Sequence, residues 1–305
     1  MAPNTSSAAT RYCAVLGHPI KHSASPAMQN AGIAALGLDW RYLAFDVHPD
    51  HLRAAIEGAR AMKCIGLNLT VPHKLLAVEM VDRLDDSAER WGAVNTIRFE
   101  ARAADGSWLP LARFAEDVPA EIRATGFNTD ADALVRSLEE DLGVGSLARI
   151  TVLLLGAGGA GRVAALRLAA GGIGALYLVN RTVMRAEQLA AELQARHPGL
   201  DVVVGYPKGR VDLVINATSL GLQPGDALPL DEKAFSLRQA AAVYDMIYRP
   251  AETPLLRSAL AAGCRTANGL GMLLHQGARA LEIWSGMQAP LEAMRRALKG
   301  EIYGR

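Results

Sequence analysis

Short apolar, β-rich runs alternate with stretches of helical period from the head of the chain to about residue 81. Runs 12–16, 42–47 and 65–71 predict strands, and helices are expected to start near Pro26 and after Pro49 and Pro72. Proline suits the first turn of a helix because the N–H it lacks would find no partner there, so the three prolines mark three helix starts. A second series opens near Asn128, with stronger strands at 150–155, 175–179, 202–204, 211–216 and 241–247. Continuous apolar runs separated by Ala-rich helices suit strands buried on both faces of a parallel sheet. Two helical segments, 271–284 and 290–299, follow Asn268-Gly269 with no strand between them and are expected to return to the first domain.

Two stretches break the alternation. Residues 98–125 carry charges, two prolines and an Asp-Gly turn signal without a sustained period, and read as a surface excursion. Residues 1–10 are polar and rich in Ala and Ser, without the basic start and apolar stretch of a secretory signal, and read as a flexible tail. The pattern thus predicts two α/β domains: 11–129 plus 270–305 as a substrate-binding, catalytic domain, and 130–269 as a doubly wound, Rossmann-type domain. The active site is expected in the crevice between them.

Composition narrows the function. Half of the 305 residues are hydrophobic, enough for two cores, and 32 Lys plus Arg against 31 Asp plus Glu leave a formal charge of +1. No global field draws nucleic acid or an anionic membrane, so any anionic ligand is held locally. Cys13, Cys64 and Cys264 are widely spaced and form no CxxC pair or Cys/His cluster of metal-site type. No apolar run reaches the roughly 20 residues of a membrane span. The expectation is a cytoplasmic enzyme of a small molecule, without metal, nucleic-acid or membrane partners, as a monomer or homodimer.

The clearest local chemistry is Gly156-Ala157-Gly158-Gly159-Ala160-Gly161, placed between a predicted strand and a predicted helix. Glycines there permit a tight turn and close backbone approach, and the unpaired N–H groups of the helix start face a pyrophosphate. After the next strand, where an NAD site usually carries an acid for the ribose 2′-hydroxyl, this chain reads Asn180-Arg181-Thr182-Val183-Met184-Arg185. A carboxylate would repel a 2′-phosphate, whereas Arg181 can pair with it through a planar fork and Arg185 adds a second charge one helical turn on. NADP is the cofactor expected.

Four further segments carry polar residues in otherwise apolar surroundings: Ser23-Ala24-Ser25-Pro26, Asn68-Leu69-Thr70-Val71-Pro72-His73-Lys74, Gly92-Ala93-Val94-Asn95-Thr96 and Asn128-Thr129-Asp130. Each alone reads equally well as a cap or turn, Ser25 before Pro26 being one such cap. Together with the glycine loop, Asn180-Arg181-Thr182, Asn216-Ala217-Thr218-Ser219, Tyr244-Asp245-Met246 and Asn268-Gly269-Leu270-Gly271-Met272-Leu273 leading to Gln276, they resemble, in order, the shikimate dehydrogenase family.

That resemblance implies NADPH-dependent, reversible reduction of 3-dehydroshikimate to shikimate, a step of chorismate and aromatic amino-acid biosynthesis. It implies that Ser23 and Ser25 hold the ring carboxylate, that Asn68, Thr70, Asn95, Asp130 and Gln276 meet ring hydroxyls, and that Tyr244 lies beside the substrate. Cofactor contacts are implied for Gly156, Ala157, Gly158, Gly159, Ala160, Asn180, Arg181, Thr182, Arg185, Thr218, Met246, Gly269 and Met272. Asn and Gln suit a polyhydroxylated ring because each both donates and accepts.

Lys74 and Asp130 are the expected acid–base pair. Hydride delivery to a ketone builds charge on its oxygen, which an ammonium can stabilise and then protonate. Placed in the first turn of a helix after Pro72, Lys74 would release its proton more easily, with Asp130 opposing that shift and orienting the amine. His73, its neighbour, would point elsewhere on such a helix. The family pattern has glycines where this chain carries Ala131 and Ala133. Quinate and dual-specificity dehydrogenases share the framework and stay open as alternatives, as does a non-catalytic NADP-binding paralogue on the same fold.

Overall fold

The alternation at the head of the chain becomes a mixed sheet. In the computed structural model, which describes residues 6–115 and 117–304, the first elements are β1 (Arg11–Gly17), α1 (Ser25–Ala35), β2 (Trp40–Asp46), α2 (Leu52–Ala61), β3 (Gly66–Leu69), β4 (Arg83–Leu84), α3 (Asp86–Trp91), β5 (Thr96–Arg102), β6 (Trp108–Pro110) and β7 (Ile122–Phe127). The strands lie in the order β2-β1-β3-β5-β7-β4, with β6 also paired to β5. β1 runs parallel to β2 and β3, whereas β5 is antiparallel to β3, β6 and β7.

The second series gives α4 (Asp130–Leu142), β8 (Thr151–Leu155), α5 (Gly159–Ala170), β9 (Ala175–Val179), α6 (Val183–Arg196), β10 (Asp201–Val204), β11 (Val211–Asn216), β12 (Ala240–Asp245), α7 (Pro254–Ala261) and β13 (Arg265–Asn268). The chain closes with α8 (Leu270–Ser285) and α9 (Leu291–Tyr303). It divides into two units, one formed by residues up to Thr129 together with those from Leu274 onward, the other by Asp130–Leu273.

In the first unit, α1 packs so closely on α8 and α9 that a Cβ on Gly32 would lie 2.8 Å from Leu281 of α8 and 3.0 Å from Met294 of α9. Trp284 of α8 is wholly buried, and its indole N–H donates to the carbonyl of Ile97 at 2.9 Å. A Cβ on Gly66 would sit 2.1 Å from that nitrogen, so the glycine admits the ring to the sheet. The two terminal helices therefore belong to the core of this unit.

The sheet of the second unit is wholly parallel, in the order β10-β9-β8-β11-β12-β13. Counted from β8, that is 3-2-1-4-5-6, the doubly wound dinucleotide-binding order. Leu153, Leu154 and Leu155 are fully buried in the central strand, each contributing roughly 1.5–3 kcal/mol by leaving water.

Four local expectations are corrected. Residues 98–125 are no simple excursion: most of β5, β6 and β7 fall within them, and Phe99, Ala101 and Leu111 are fully buried. The charges that hid the strands neutralise one another, since Glu100, 1 % exposed, receives Arg98, Arg123 and Thr125. No α-helix starts at Pro72; residues 71–75 form a turn followed by a short 3-10 helix, Leu76–Glu79. The carbonyl of Lys74, which an α-helix would give to Val78, is taken by the N–H of Val94 at 2.9 Å. β13 was not foreseen because its sequence, Arg-Thr-Ala-Asn, has no apolar run. Of the expected tail, residues 1–5 lie outside the described residues, while Ser7–Thr10 form a turn whose Thr10 hydroxyl donates to Asp39 at 3.0 Å.

Candidate functional site

The parallel register of the second unit lines up Val179, Leu155, Asn216, Asp245 and Asn268 across five strands. The next residue on each strand is Asn180, Gly156, Ala217, Met246 and Gly269, so most residues expected to meet the cofactor share one carboxyl edge. That edge is where doubly wound sheets bind nucleotides, at the point where strand order reverses, here between β8 and β11.

The glycine loop has the three functions its spacing requires. Gly156 turns the chain with φ +106°. Gly158 and Gly159 have nothing within 4 Å of where a Cβ would stand, leaving the backbone open to a phosphate. At Gly161 a Cβ would stand 2.0 Å from the carbonyl oxygen of Gly156, so only glycine lets α5 pack against the turn. Gly158 is the cap of α5, whose first-turn N–H groups, including that of Ala160, have no carbonyl within the helix to accept them. These residues fit a dinucleotide pyrophosphate.

Asn180 ties the loop to the next strand. Its Oδ1 accepts the N–H of Ala157 at 3.0 Å, and its Nδ2 donates to the carbonyl of Thr182 at 2.8 Å. Thr182 stands at the N-terminal cap position of α6 without a side-chain bond, and Arg181 and Arg185 are exposed beside it. Among the described residues neither arginine is paired with a carboxylate, whereas Arg162 and Arg196 both hold Glu192. Two cations are thus exposed at the start of α6, where the sequence leads one to expect a 2′-phosphate.

The β11, β12 and β13 ends are held by buried polar groups. Asn216 Oδ1 accepts the N–H and hydroxyl of Thr218 at 3.0 and 2.7 Å, and its Nδ2 donates to Asp245 Oδ1 at 3.0 Å. Asp245 also accepts the N–H of Ile247 at 3.1 Å and the Thr253 hydroxyl at 2.7 Å. Burial pushes its carboxyl up to about 6, with those three donors opposing the shift. A Cβ on Gly269 would stand 2.0 Å from the carbonyl of Met246, so that crossing requires glycine. Met272, half-buried, follows in the first turn of α8.

Tyr244 departs from expectation. It is fully buried in β12, its hydroxyl 2.8 Å from Ser137, and burial raises its phenol well above the ordinary range. Its side chain is enclosed in the unit's core, with its hydroxyl engaged there by Ser137.

The first unit gathers most of the polar residues of the other segments. Asn68 Oδ1 accepts the Tyr42 hydroxyl at 2.7 Å, and its Nδ2 donates to Thr96 Oγ1 at 3.0 Å. Asn95 Nδ2 donates to Thr129 Oγ1 at 3.0 Å, and its Oδ1 accepts the N–H of Thr129 at 2.8 Å. Asn128 Nδ2 donates to the carbonyl of Ala93 at 3.1 Å. This network runs unbroken from β2 to the residue before Asp130.

Asp130 opens α4 and is 6 % exposed; Ala131 and Ala133, in place of the family's glycines, are buried beside it in the same helix. Ser25 opens α1, and the cap position belongs to Ala24 without a side-chain bond. Ser23 Oγ accepts the N–H of Ser25 at 3.3 Å. Gln276 is half-buried in α8, and the next residue, Gly277, is pinned by the Gln29 amide at 2.8 Å.

Lys74 is half-buried in the 71–75 turn. Without a helix start, the dipole argument for its proton release falls away, and what positions it is the turn itself. Thr70, half-buried, begins that turn by accepting the N–H of His73 at 2.8 Å. His73 is fully buried, and burial, with His18 and His48 nearby, holds its imidazole below the usual value.

Three family profiles cover much of this framework: the shikimate dehydrogenase substrate binding domain at 15–97, shikimate / quinate 5-dehydrogenase at 139–220, and the shikimate 5′-dehydrogenase C-terminal domain at 269–299. A shikimate dehydrogenase (NADP+) of Methanopyrus kandleri is 39 % identical over 95 % of this chain and 96 % of its own. The chain belongs to the shikimate dehydrogenase family.

Solved structures of the family agree. One shikimate dehydrogenase in complex with NADP+ is 34 % identical, with a TM-score of 0.82 and 98 % of each chain covered. Another, from Thermus thermophilus, in complex with NADP(H) and shikimate, is 35 % identical, with a TM-score of 0.77 over 95 % of this chain and 99 % of its own. Among the described residues no helix is long and apolar enough to cross a membrane, and no acid, His and Cys cluster is arranged for a metal. Within this member of the family, sequence reasoning gave no role to Asn216, Asp245 or Tyr42. Asp245 carried a signal, an acid ending an apolar strand, but its partner Asn216 lies on another strand, 29 residues earlier.

Proposed function

We propose that this chain is an NADP-dependent shikimate dehydrogenase, reducing 3-dehydroshikimate reversibly to shikimate in the cytoplasm, as a monomer or homodimer. The observation that carries the reading is the full-length match to shikimate dehydrogenases (NADP+), joined to a carboxyl edge whose glycine loop is open at Gly158 and Gly159.

When bound, NADPH supplies the hydride. Gly156 to Ala160 hold the pyrophosphate through backbone N–H groups, with Arg181 and Arg185 on the 2′-phosphate and Asn180, Thr182, Thr218, Met246, Gly269 and Met272 bordering the rest. Ser23 and Ser25 hold the ring carboxylate by hydroxyl donation. Asn68, Thr70, Asn95 and Gln276 sort the ring hydroxyls, using lone pairs and N–H bonds beyond those spent within the protein.

Lys74 holds its ammonium against the ketone oxygen, stabilises the charge that builds there and delivers the proton that completes the alcohol. Asp130 accepts hydrogen bonds from that amine and from a ring hydroxyl, and after the transfer a proton from solvent restores the lysine's ammonium. In the oxidation direction both proton movements reverse. The relatives matched over nearly their whole length are named for shikimate and NADP+, which favours that pair over the quinate alternative.

The test is NADPH oxidation on adding 3-dehydroshikimate. Lys74→Ala is expected to lower kcat by about 10²- to 10⁴-fold with NADPH affinity intact. Unchanged turnover in that variant would remove Lys74 from the mechanism.

A further inference from the structure

One buried carboxylate lies directly behind the cofactor edge without any part in the chemistry. Asp245 is fully enclosed, and each of its oxygens is engaged: Oδ1 by Asn216 Nδ2 at 3.0 Å and Ile247 N–H at 3.1 Å, Oδ2 by the Thr253 hydroxyl at 2.7 Å. No cation is among these partners, so the site is built from neutral donors around a group that is costly to bury. Such a group fixes everything that satisfies it.

What it fixes is the cofactor edge at two strands. Asn216, itself fully buried, uses its Nδ2 on Asp245 and on the carbonyl of Leu220 at 3.2 Å, leaving its Oδ1 aimed at the N–H and hydroxyl of Thr218. The Thr218 hydroxyl in turn accepts the N–H of Leu220 at 3.1 Å. The loop after β11 therefore takes its shape from the amide that Asp245 orients. On β12 the same carboxylate binds the N–H of Ile247, and Met246, between them, gives its N–H to the carbonyl of Asn216 at 3.0 Å. Thr253 also caps α7 through the N–H of Leu256 at 3.3 Å, so the clamp is anchored to a helix.

We propose that Asp245 is a positioning residue for NADP, acting through Asn216 to hold the Thr218 turn and the Met246 backbone against the cofactor. The proposal rests on the assignment of these two loops to the cofactor. It predicts loss of cofactor affinity without loss of substrate affinity, which a general weakening of the fold would not produce.

The experiment is NADPH titration by fluorescence, with shikimate affinity measured in parallel, on the wild type, Asp245→Ala, Asn216→Ala, the double variant and Asp245→Asn. Asp245→Ala is expected to raise the Kd for NADPH by about tenfold or more while shikimate affinity stays within about twofold, since a buried hydrogen bond to a charged group is lost. The double variant should bind no more weakly than the weaker single one, because both act along one chain. Asp245→Asn, which keeps an acceptor for Asn216, should recover most of the affinity. Should Asp245→Ala not fold, Asp245→Ser is read in the same way, its hydroxyl being too short to reach Asn216. Unchanged NADPH affinity in a folded variant, equal loss for both ligands, or full additivity overturns the proposal. A wild type that binds no NADPH would instead overturn the cofactor assignment beneath it.

Discussion

Asn95 Oδ1 accepts the backbone N–H of Thr129 at 2.8 Å, so an amide at the head of β5 fixes the residue immediately before Asp130. The same side chain donates to Thr129 Oγ1 and accepts from Thr96, all within a buried network. Asn95→Ala would leave the Thr129 N–H without this partner. The expected result is a loss of about 1–3 kcal/mol in unfolding free energy and a fall in kcat/KM with NADPH affinity unchanged. Denaturant melts and steady-state kinetics check the two parts.

Arg181 stands exposed at the start of α6, where a 2′-phosphate would be recognised. Arg181→Ala is expected to lower kcat/KM with NADPH by roughly 10- to 100-fold, the worth of a charge-assisted hydrogen bond, while NADH activity stays level. Parallel assays with the two cofactors give the result directly. Equal loss with both would place Arg181 elsewhere in the site.

Asp245 makes stability depend on pH with a definite sign. Its carboxyl, raised by burial to about 6 from an ordinary 3.8, binds a proton more tightly folded than unfolded. Its stabilising contribution is therefore complete below pH 3.8 and lost as pH rises through about 6, a change on the order of 3 kcal/mol. The stability of the wild type relative to Asp245→Asn should fall between pH 4 and 6.5, as read from urea midpoints. A flat difference would mean that the carboxylate stays charged throughout.

Glu100 has the opposite sign. Burial pushes its carboxyl up, but Arg123, Arg98 and Thr125 outweigh that and hold it below the ordinary value. Its contribution is present above the unfolded value of about 4.5 and lost as pH falls through the folded one. Glu100→Gln leaves two arginines without their shared anion and should cost about 3–5 kcal/mol. Thermal melts at pH 7 check this, with little change in KM for either substrate.

The parallel sheet was readable because its strands are buried on both faces: 150–155, 175–179 and 211–216 are nearly unbroken apolar runs. The glycine loop was readable because each glycine answers a separate steric demand, at Gly156, Gly158 and Gly161. The β5 to β7 region was not, since Arg98, Glu100 and Arg123 satisfy one another inside it and mask the strand period. The 71–75 turn was misread because the carbonyl of Lys74 is claimed by Val94, a bond between distant segments that local helix signals do not contain. The burial of Tyr244 is not legible in the sequence because nothing local reveals its partner Ser137. Contacts set by tertiary pairing were illegible, whereas those set by backbone sterics were plain.

The most direct measurement of the central claim is kcat/KM for shikimate and for quinate, each with NADP+ and with NAD+. The account predicts the highest value for shikimate with NADP+, falling with either exchange. A highest value for quinate or for NAD+, or no turnover of either acid by protein that binds NADPH, would contradict it.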